Sequence, residues 1–277
     1  MTSLARPYLQ QTSRLANQRT SSLARSYPKP TSNIVTSGLK TASAHARYST
    51  ATSPSSKPLQ LYTAGTPNGH KASVFLEELK QMYGIGYDVH AIDISAGTQK
   101  EPWFLALNPN GRIPVLVDPK RRRGGFAVFE SAAILLYLAQ HYDTQRKFAS
   151  DPARQPEEWS EMLQWVFFTH GGIGPMQGQA NHFVRFAPED IPYAKKRYLD
   201  ETKRLYGVLN TRLSGERDWL AGPAPRGAYS IADMNAFPWV SGHGFCGIET
   251  LDEWPNVKAW IERTAERPAV QAGMQVP

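Results

Sequence analysis

Strand and helix patterns alternate over residues 59–142, and every periodic stretch after residue 156 is helical, which leaves few folds open to this chain. Leu59 to Thr63 reads as a strand. Gly65, Pro67 and Gly69 then break the chain, and Ala72, Phe75, Leu76, Leu79 and Tyr83 return at helical spacing. Tyr87 to Ile94 forms a second strand in this reading, Trp103 to Leu107 a short helix, and Ile113 to Asp118 a third strand. Pro119 to Gly125 is a hairpin turn carrying Lys120, Arg121, Arg122 and Arg123, and Phe126 to Phe129 is the returning strand. A helix opens at Glu130-Ser131 and runs through Tyr142, with Ser131 the expected N-cap. The order is β-α-β-α-β-β-α. Beyond a polar link from Asp143 to Pro156, Trp159, Met162, Leu163, Val166 and His170 share one helical face, as do Tyr198, Thr202, Leu205 and Leu209. Ser230-Ile231-Ala232-Asp233 has the form of a capping box, and Pro238 is expected to kink or end the helix that follows. Val257, Trp260, Ile261 and Thr264 mark what reads as the last helix.

The formal net charge of +7, from 31 basic and 24 acidic residues, misrepresents the folded part. Residues 1–58 hold eight of the basic residues and none of the acidic ones, leaving a body with 23 basic against 24 acidic residues. That tail is also about a third Ser and Thr. Arg-rich, Ser-rich and acid-free is the composition of a mitochondrial transit peptide, with Arg47-Tyr48-Ser49-Thr50 resembling a processing site. The same composition suits a disordered basic arm. The expected location is accordingly mitochondrial, or else cytoplasmic. No apolar run approaches the roughly 18 residues that a spanning helix needs, and neither membrane nor nucleic acid is an expected partner of the body. A single cysteine, Cys246, excludes an internal disulfide and any CxxC pair, so thiol chemistry here needs an external thiol. It reads as a packed thiol, and the histidines show no metal-ligand spacing, so no metal is expected.

A strand that feeds a helix through Ala64-Gly65-Thr66-Pro67-Asn68 places backbone N–H groups and a positive helix end where an anion can sit. The β-α-β-α-β-β-α unit with a proline at the start of its third strand (Ile113-Pro114) resembles the thioredoxin fold. In that fold this proline is usually cis, which exposes the preceding backbone N–H and C=O to a peptide-like ligand. Glu130-Ser131, at a strand-to-helix junction, suits a γ-glutamyl group, and the helical second half completes the outline of a glutathione transferase. Five motifs sharpen the resemblance to Nu-class transferases, a group that includes bacterial disulfide reductases and a fungal nitrogen-catabolite regulator. They are Thr66-Pro67-Asn68-Gly69-His70-Lys71, Asn108-Pro109-Asn110-Gly111-Arg112-Ile113-Pro114, Phe129-Glu130-Ser131, Gly171-Gly172-Ile173-Gly174-Pro175-Met176 and Ile191-Pro192-Tyr193-Ala194 with Arg197-Tyr198.

The resemblance implies a thioredoxin-like α/β N-terminal domain over 59–143 and an all-α C-terminal domain over 155–270, assembled as a homodimer. It implies glutathione as a substrate, with Thr66 and Asn68 contacting its sulfur and Gln99 its glycyl or cysteinyl backbone. Ile113 would pair through its main chain, Glu130 and Ser131 would bind the γ-glutamyl end, Arg112 would contact a carboxylate, and Arg197 would reach a partner subunit's site. Arg112 departs from the lysine expected there, which keeps the charge and changes the donor geometry. The implied reaction is attack of the glutathione thiolate on a small-molecule disulfide, or on an electrophile in a conjugation. The other reading is a glutathione-binding regulatory protein with little turnover. Tyr62, near the place of the catalytic tyrosine in other transferase classes, reads instead as a packed strand residue. Trp165, Phe168 and Phe183 are the expected walls of the acceptor pocket, and the Gly171 to Gly178 cluster is expected to permit close helix approach near its mouth.

Overall fold

A computed structural model of the chain describes residues 57–122 and 124–277; the expected basic tail lies outside the described residues up to residue 56. The N-terminal half is a four-stranded sheet of β1 (Leu59–Thr63), β2 (Tyr87–Ala91), β3 (Val115–Asp118) and β4 (Phe126–Phe129), ordered β2-β1-β3-β4. β1 and β2 run parallel, and β3 is antiparallel to both β1 and β4. The register pairs Leu61 with Val89 and with Leu116.

The period of two decides what covers each face. Leu59, Leu61 and Leu116 point to the main core, where α1 (Pro67–Tyr83) contributes Phe75, Leu76 and Leu79 and α3 (Ser131–His141) contributes Ile134, Leu135 and Leu138. Tyr62, Val115 and Val117 point the other way, into a small cluster with Ile92 and with Phe104 of α2 (Pro102–Leu107). Two strands are shorter than the sequence suggests. β2 stops at Ala91 because Asp93 turns the chain, its carboxylate accepting from the Ser95 and Ala96 N–H groups at 2.9 and 3.0 Å. β3 starts two residues late because Ile113-Pro114 is a cis peptide.

The second half is helical: α4 (Pro156–Phe168), α5 (Gly174–Asn181), α6 (Pro192–Arg212), α7 (Ile231–Val240), α8 (Pro255–Ala265) and α9 (Pro268–Met274). π-helical turns at Thr169–Ile173 and His182–Phe186 extend α4 and α5 without a break in the chain's course. The capping box forms as expected, and Asp233 at its heart is fully buried. Its carboxylate accepts from the Leu220 and Ser230 N–H groups, the Ser230 hydroxyl and the Trp260 indole at 2.9 to 3.2 Å. Pro238 does not break α7; the helix runs two residues past it, to Val240. α8 is not the last helix either. α9 follows and lies against α1, so close that a Cβ on Gly273 would stand 2.5 Å from the Val74 Cα. Ser73 Oγ donates to the Gly273 carbonyl at 2.7 Å, and the Arg267 guanidinium grips the Glu78 carboxylate through two bonds of 2.7 and 3.0 Å.

Candidate active site

The start of α1 is built as a donor surface. Thr66 is its N-cap, in extended conformation, and its hydroxyl oxygen accepts from the Gly69 N–H at 3.2 Å. The hydroxyl proton is thereby left to donate outward. Pro67, in the first turn, has no N–H to satisfy. The Asn68 N–H makes no hydrogen bond among the described residues. Gly69 is required by space: a Cβ there would stand 2.3 Å from the Ala64 carbonyl oxygen and 2.5 Å from Thr63 Oγ1. The Asn68 amide oxygen accepts from the indole N–H of Trp239, on α7, at 3.0 Å.

The loop before β3 faces this surface. Buried Asn108 shapes it, donating to the Arg112 carbonyl at 2.7 Å and accepting from the Asn110 N–H at 3.0 Å. Gly111 takes φ 60°, a left-handed conformation that favours glycine. Arg112 is exposed and forms no ion pair among the described residues. At the cis bond the Ile113 N–H and C=O are unused among the described residues, as the thioredoxin likeness leads one to expect. Gln99 donates to the Ile94 carbonyl at 3.1 Å, while its amide oxygen is buried without a partner, an unsatisfied acceptor beside the groove.

The third wall differs from expectation. Ser131 is not the N-cap of α3. Glu130 holds that position at φ 70°, and neither residue caps through its side chain. The left-handed turn at Glu130 sets Ser131 one place inside the helix, buried, with its hydroxyl unbonded among the described residues. An 11-residue helix thus presents free first-turn N–H groups and a serine hydroxyl to one spot, which suits a carboxylate. The Glu130 carboxylate meets His170 Nε2 at 3.2 Å. Behind them lies Lys71, 1 % exposed, with no hydrogen bond or ion pair among the described residues. Burial lowers its pKa to about 7 against the pull of nearby Glu130. Burial also lowers the His170 pKa, helped by the Lys71 charge.

Three adjoining hollows, all edged by Asn68 and Arg112, form one groove. One, of about 540 Å³, adds Thr66, Gln99 and Ile113; another holds Glu130 and Ser131; a third, of about 340 Å³, holds Lys71 and His170. Seven of the eight residues singled out in the sequence therefore converge. Arg197 does not join them within one chain. It lines a separate cleft of about 620 Å³ with Met176, Tyr193 and Glu201.

The acceptor walls also differ from expectation. Trp165 and Phe168 meet edge to face against the core, Trp165 under the Arg212 guanidinium, and Phe183 stacks on Tyr198 at 5.6 Å. The groove is walled instead by Trp239, Phe186 and Ile94. Tyr62 is a packed strand residue as expected, stacked on His90 at 4.4 Å. Cys246 is fully buried, its thiol pushed up by burial. No group of metal-ligating side chains occurs among the described residues. Lys71, His170 and Trp239 are the functional candidates that residue patterns missed.

A thioredoxin-like sheet with a cis-proline loop, closed on one side by helices that add their own groove wall, is the architecture of a two-domain glutathione transferase. Family models for the glutathione S-transferase N-terminal and C-terminal domains match residues 57–140 and 161–268, and the chain belongs to that family. Its relatives place it with the Nu-class and Ure2-like members. It is 44% identical over 213 residues to the disulfide-bond oxidoreductase YfcG of Escherichia coli, covering 76% of this chain and 92% of that protein. It is 31% identical over 245 residues to the protein URE2 of Eremothecium gossypii, covering 77% and 68%. A crystal structure of a glutathione transferase homologue from Lodderomyces elongisporus, with two GSH per subunit, superposes with a TM-score of 0.73 at 40% identity, covering 80% of this chain and 99% of that one.

Proposed function

We propose that the protein binds glutathione in this groove and uses its thiolate for thiol–disulfide exchange. The γ-glutamyl carboxylate sits on the free N–H groups of α3 and the Ser131 hydroxyl, and its ammonium on Glu130. The cysteinyl backbone pairs with Ile113 beside the cis bond, and Gln99 supplies the acceptor that now has no partner. The sulfur then lies at the start of α1, within reach of the Thr66 hydroxyl, the Asn68 N–H and the Asn68 amide. A free thiol has a pKa of about 8.5, and lowering it by about two pH units needs about 2.7 kcal/mol. Two or three donors with a helix N-terminus supply that much. The convergence of these free donors with the cis-proline loop and Glu130-Ser131 in one groove is the observation that carries the reading.

The protein's own thiol takes no part, since Cys246 is buried. The glutathione thiolate attacks one sulfur of a disulfide RS–SR′, forming GS–SR and releasing R′S⁻, which takes a proton from solvent. A second glutathione attacks GS–SR and releases RS⁻, leaving oxidised glutathione; two thiols have then reduced one disulfide. The two GSH bound per subunit in the L. elongisporus homologue support room for both. The oxidoreductase name of YfcG favours reduction over conjugation. In this reading a second copy of the chain brings Arg197 to the groove, so the working form is a homodimer.

Glutathione-dependent reduction of a small model disulfide tests the proposal, with Thr66→Ala, Asn68→Ala and Arg197→Ala beside the wild type. Turnover that falls about tenfold or more in the first two supports it. Activity that survives all three variants refutes the site, and glutathione binding without wild-type turnover favours a conjugating enzyme or a regulatory binder. The tail we read as a mitochondrial address; a diffuse cytosolic signal from residues 1–58 fused to a fluorescent protein would refute that.

A further inference from the structure

The hydrogen bond between Asn68 and Trp239 joins residues 171 positions apart, one at the groove floor and one on α7. An indole N–H only donates, so the amide atom it meets is the oxygen. With Oδ1 taken up, the group that Asn68 has left for the groove is its NH₂. Without that partner an asparagine amide presents its oxygen as readily as its nitrogen, and an oxygen there repels a thiolate.

Trp239 is itself held with unusual care. Its ring fits against two glycines of α5: a Cβ on Gly174 would stand 3.2 Å from its Nε1, and one on Gly178 3.3 Å from its Cη2. Its backbone carbonyl accepts from buried Gln177 Nε2 at 2.7 Å, and Gln177 is fixed in turn by the Tyr206 hydroxyl at 2.8 Å. The glycines expected to permit close helix approach instead make room for side chains, Gly174 and Gly178 for this ring.

We propose that Trp239 is a positioning residue for the reaction: it fixes the polarity of the Asn68 amide so that NH₂, and not oxygen, faces the sulfur. The inference rests on the reading of Asn68 as a thiolate contact. It assigns a task in the thiol's activation to the helical domain, and it makes Asn68 a donor only when the two domains are docked.

The test is the pH profile of kcat/KM for the disulfide at saturating glutathione, measured on the full chain. The variants are Trp239→Phe, Asn68→Ala, Asn68→Asp and the Trp239→Phe/Asn68→Ala double variant, with thermal unfolding as a control. Trp239→Phe keeps an aromatic ring in the slot and removes the donor together with part of the indole's volume, a packing loss that the thermal control reads. It is expected to move the thiol's apparent pKa up by about half to one unit and to lower kcat/KM about three- to tenfold below that pKa. The loss should close at alkaline pH, where the thiol ionises unaided. On the Asn68→Ala background the same change should cost nothing more. Asn68→Asp leaves the slot untouched and retains the acceptor for Trp239, yet turns an oxygen to the sulfur, so it should be worse than Asn68→Ala. An unmoved profile in Trp239→Phe, additive losses in the double variant, or Asn68→Asp no worse than Asn68→Ala overturns the assignment. If Asn68→Ala itself leaves the profile unmoved, the thiolate reading of Asn68 falls and this inference with it.

Discussion

Replacing Lys71 with methionine is expected to make the protein more stable. The lysine is 1 % exposed and has no hydrogen bond or ion pair among the described residues, so its ammonium is desolvated without compensation beyond the field of Glu130. In the unfolded chain it titrates near 10.5, and in the folded protein near 7. That interval corresponds to about 5 kcal/mol at about 1.4 kcal/mol per pH unit, a ceiling for what the charge costs the folded state. Between these two values the unfolded chain binds the extra proton, so wild-type stability rises with pH from about 7 toward 10.5. Below pH 7 the penalty is fully present. Lys71→Met keeps the length and bulk of the stem and removes the titration. Urea unfolding followed by tryptophan fluorescence, at fixed protein concentration, should show the variant ahead by a few kcal/mol (roughly 2–4) at pH 6–7, with the gap closing toward pH 9. A variant that is less stable at every pH, by a constant amount, would refute the reasoning. Lys71 shares its hollow with Arg112 and His170, so an anionic ligand relieves the wild-type penalty and not the variant's. Added glutathione should therefore raise the unfolding midpoint more in the wild type than in Lys71→Met. A group that strains the free protein and is relieved by ligand is what a binding site, rather than a core, retains.

Three further substitutions test the scaffold beneath the site. Asp233→Ala leaves the Leu220 and Ser230 N–H groups and the Trp260 indole without their acceptor, and should cost about 3–5 kcal/mol in urea unfolding; a loss under about 1 kcal/mol would mean that water replaces the carboxylate. Gly69→Ala drives a methyl group into the Ala64 carbonyl at 2.3 Å, and should both lower the thermal midpoint and abolish disulfide reduction by displacing Thr66 and Asn68. Cys246→Ala removes a thiol that is buried and held up in pKa, and should leave glutathione-dependent turnover intact. Loss of activity there, with the fold retained, would make the thiol a participant.

The sheet was legible because its evidence is local. Leu59 to Thr63 alternates, a proline and two glycines end it, and the strand has those bounds in the structure. Ser230 and Asp233 announce a capping box three residues apart, and the box forms. α9 carries no such signal: it has seven residues, and it is held by Gly273 resting on Val74 and by Arg267 on Glu78, contacts that no window of sequence contains. Ser131 lies one position inside its expected place because serine is a good N-cap by chemistry, whereas the backbone gives that role to Glu130 by turning left-handed.

The site divides along the same line. Thr66, Asn68, Arg112, Ile113, Glu130 and Ser131 sit at breaks between elements, where Pro, Gly and charged residues punctuate the chain, and each lies in the groove. Trp165 and Phe168 lie against the core and not in the expected cleft, because helical periodicity shows that a face is apolar and not what receives it. Lys71, His170 and Trp239 look unremarkable in their own segments. They acquire their chemistry only where α1, the π-helical turn after α4 and α7 meet, since a lysine buried by another domain loses solvent and an amide facing an indole loses its freedom to flip. In the proposed reading the N-terminal half holds the ligand's contacts, and the helical half sets the protonation and polarity of the groups that make them. A site divided in that way can be read from sequence for what it binds, but its reactivity depends on how the two halves dock.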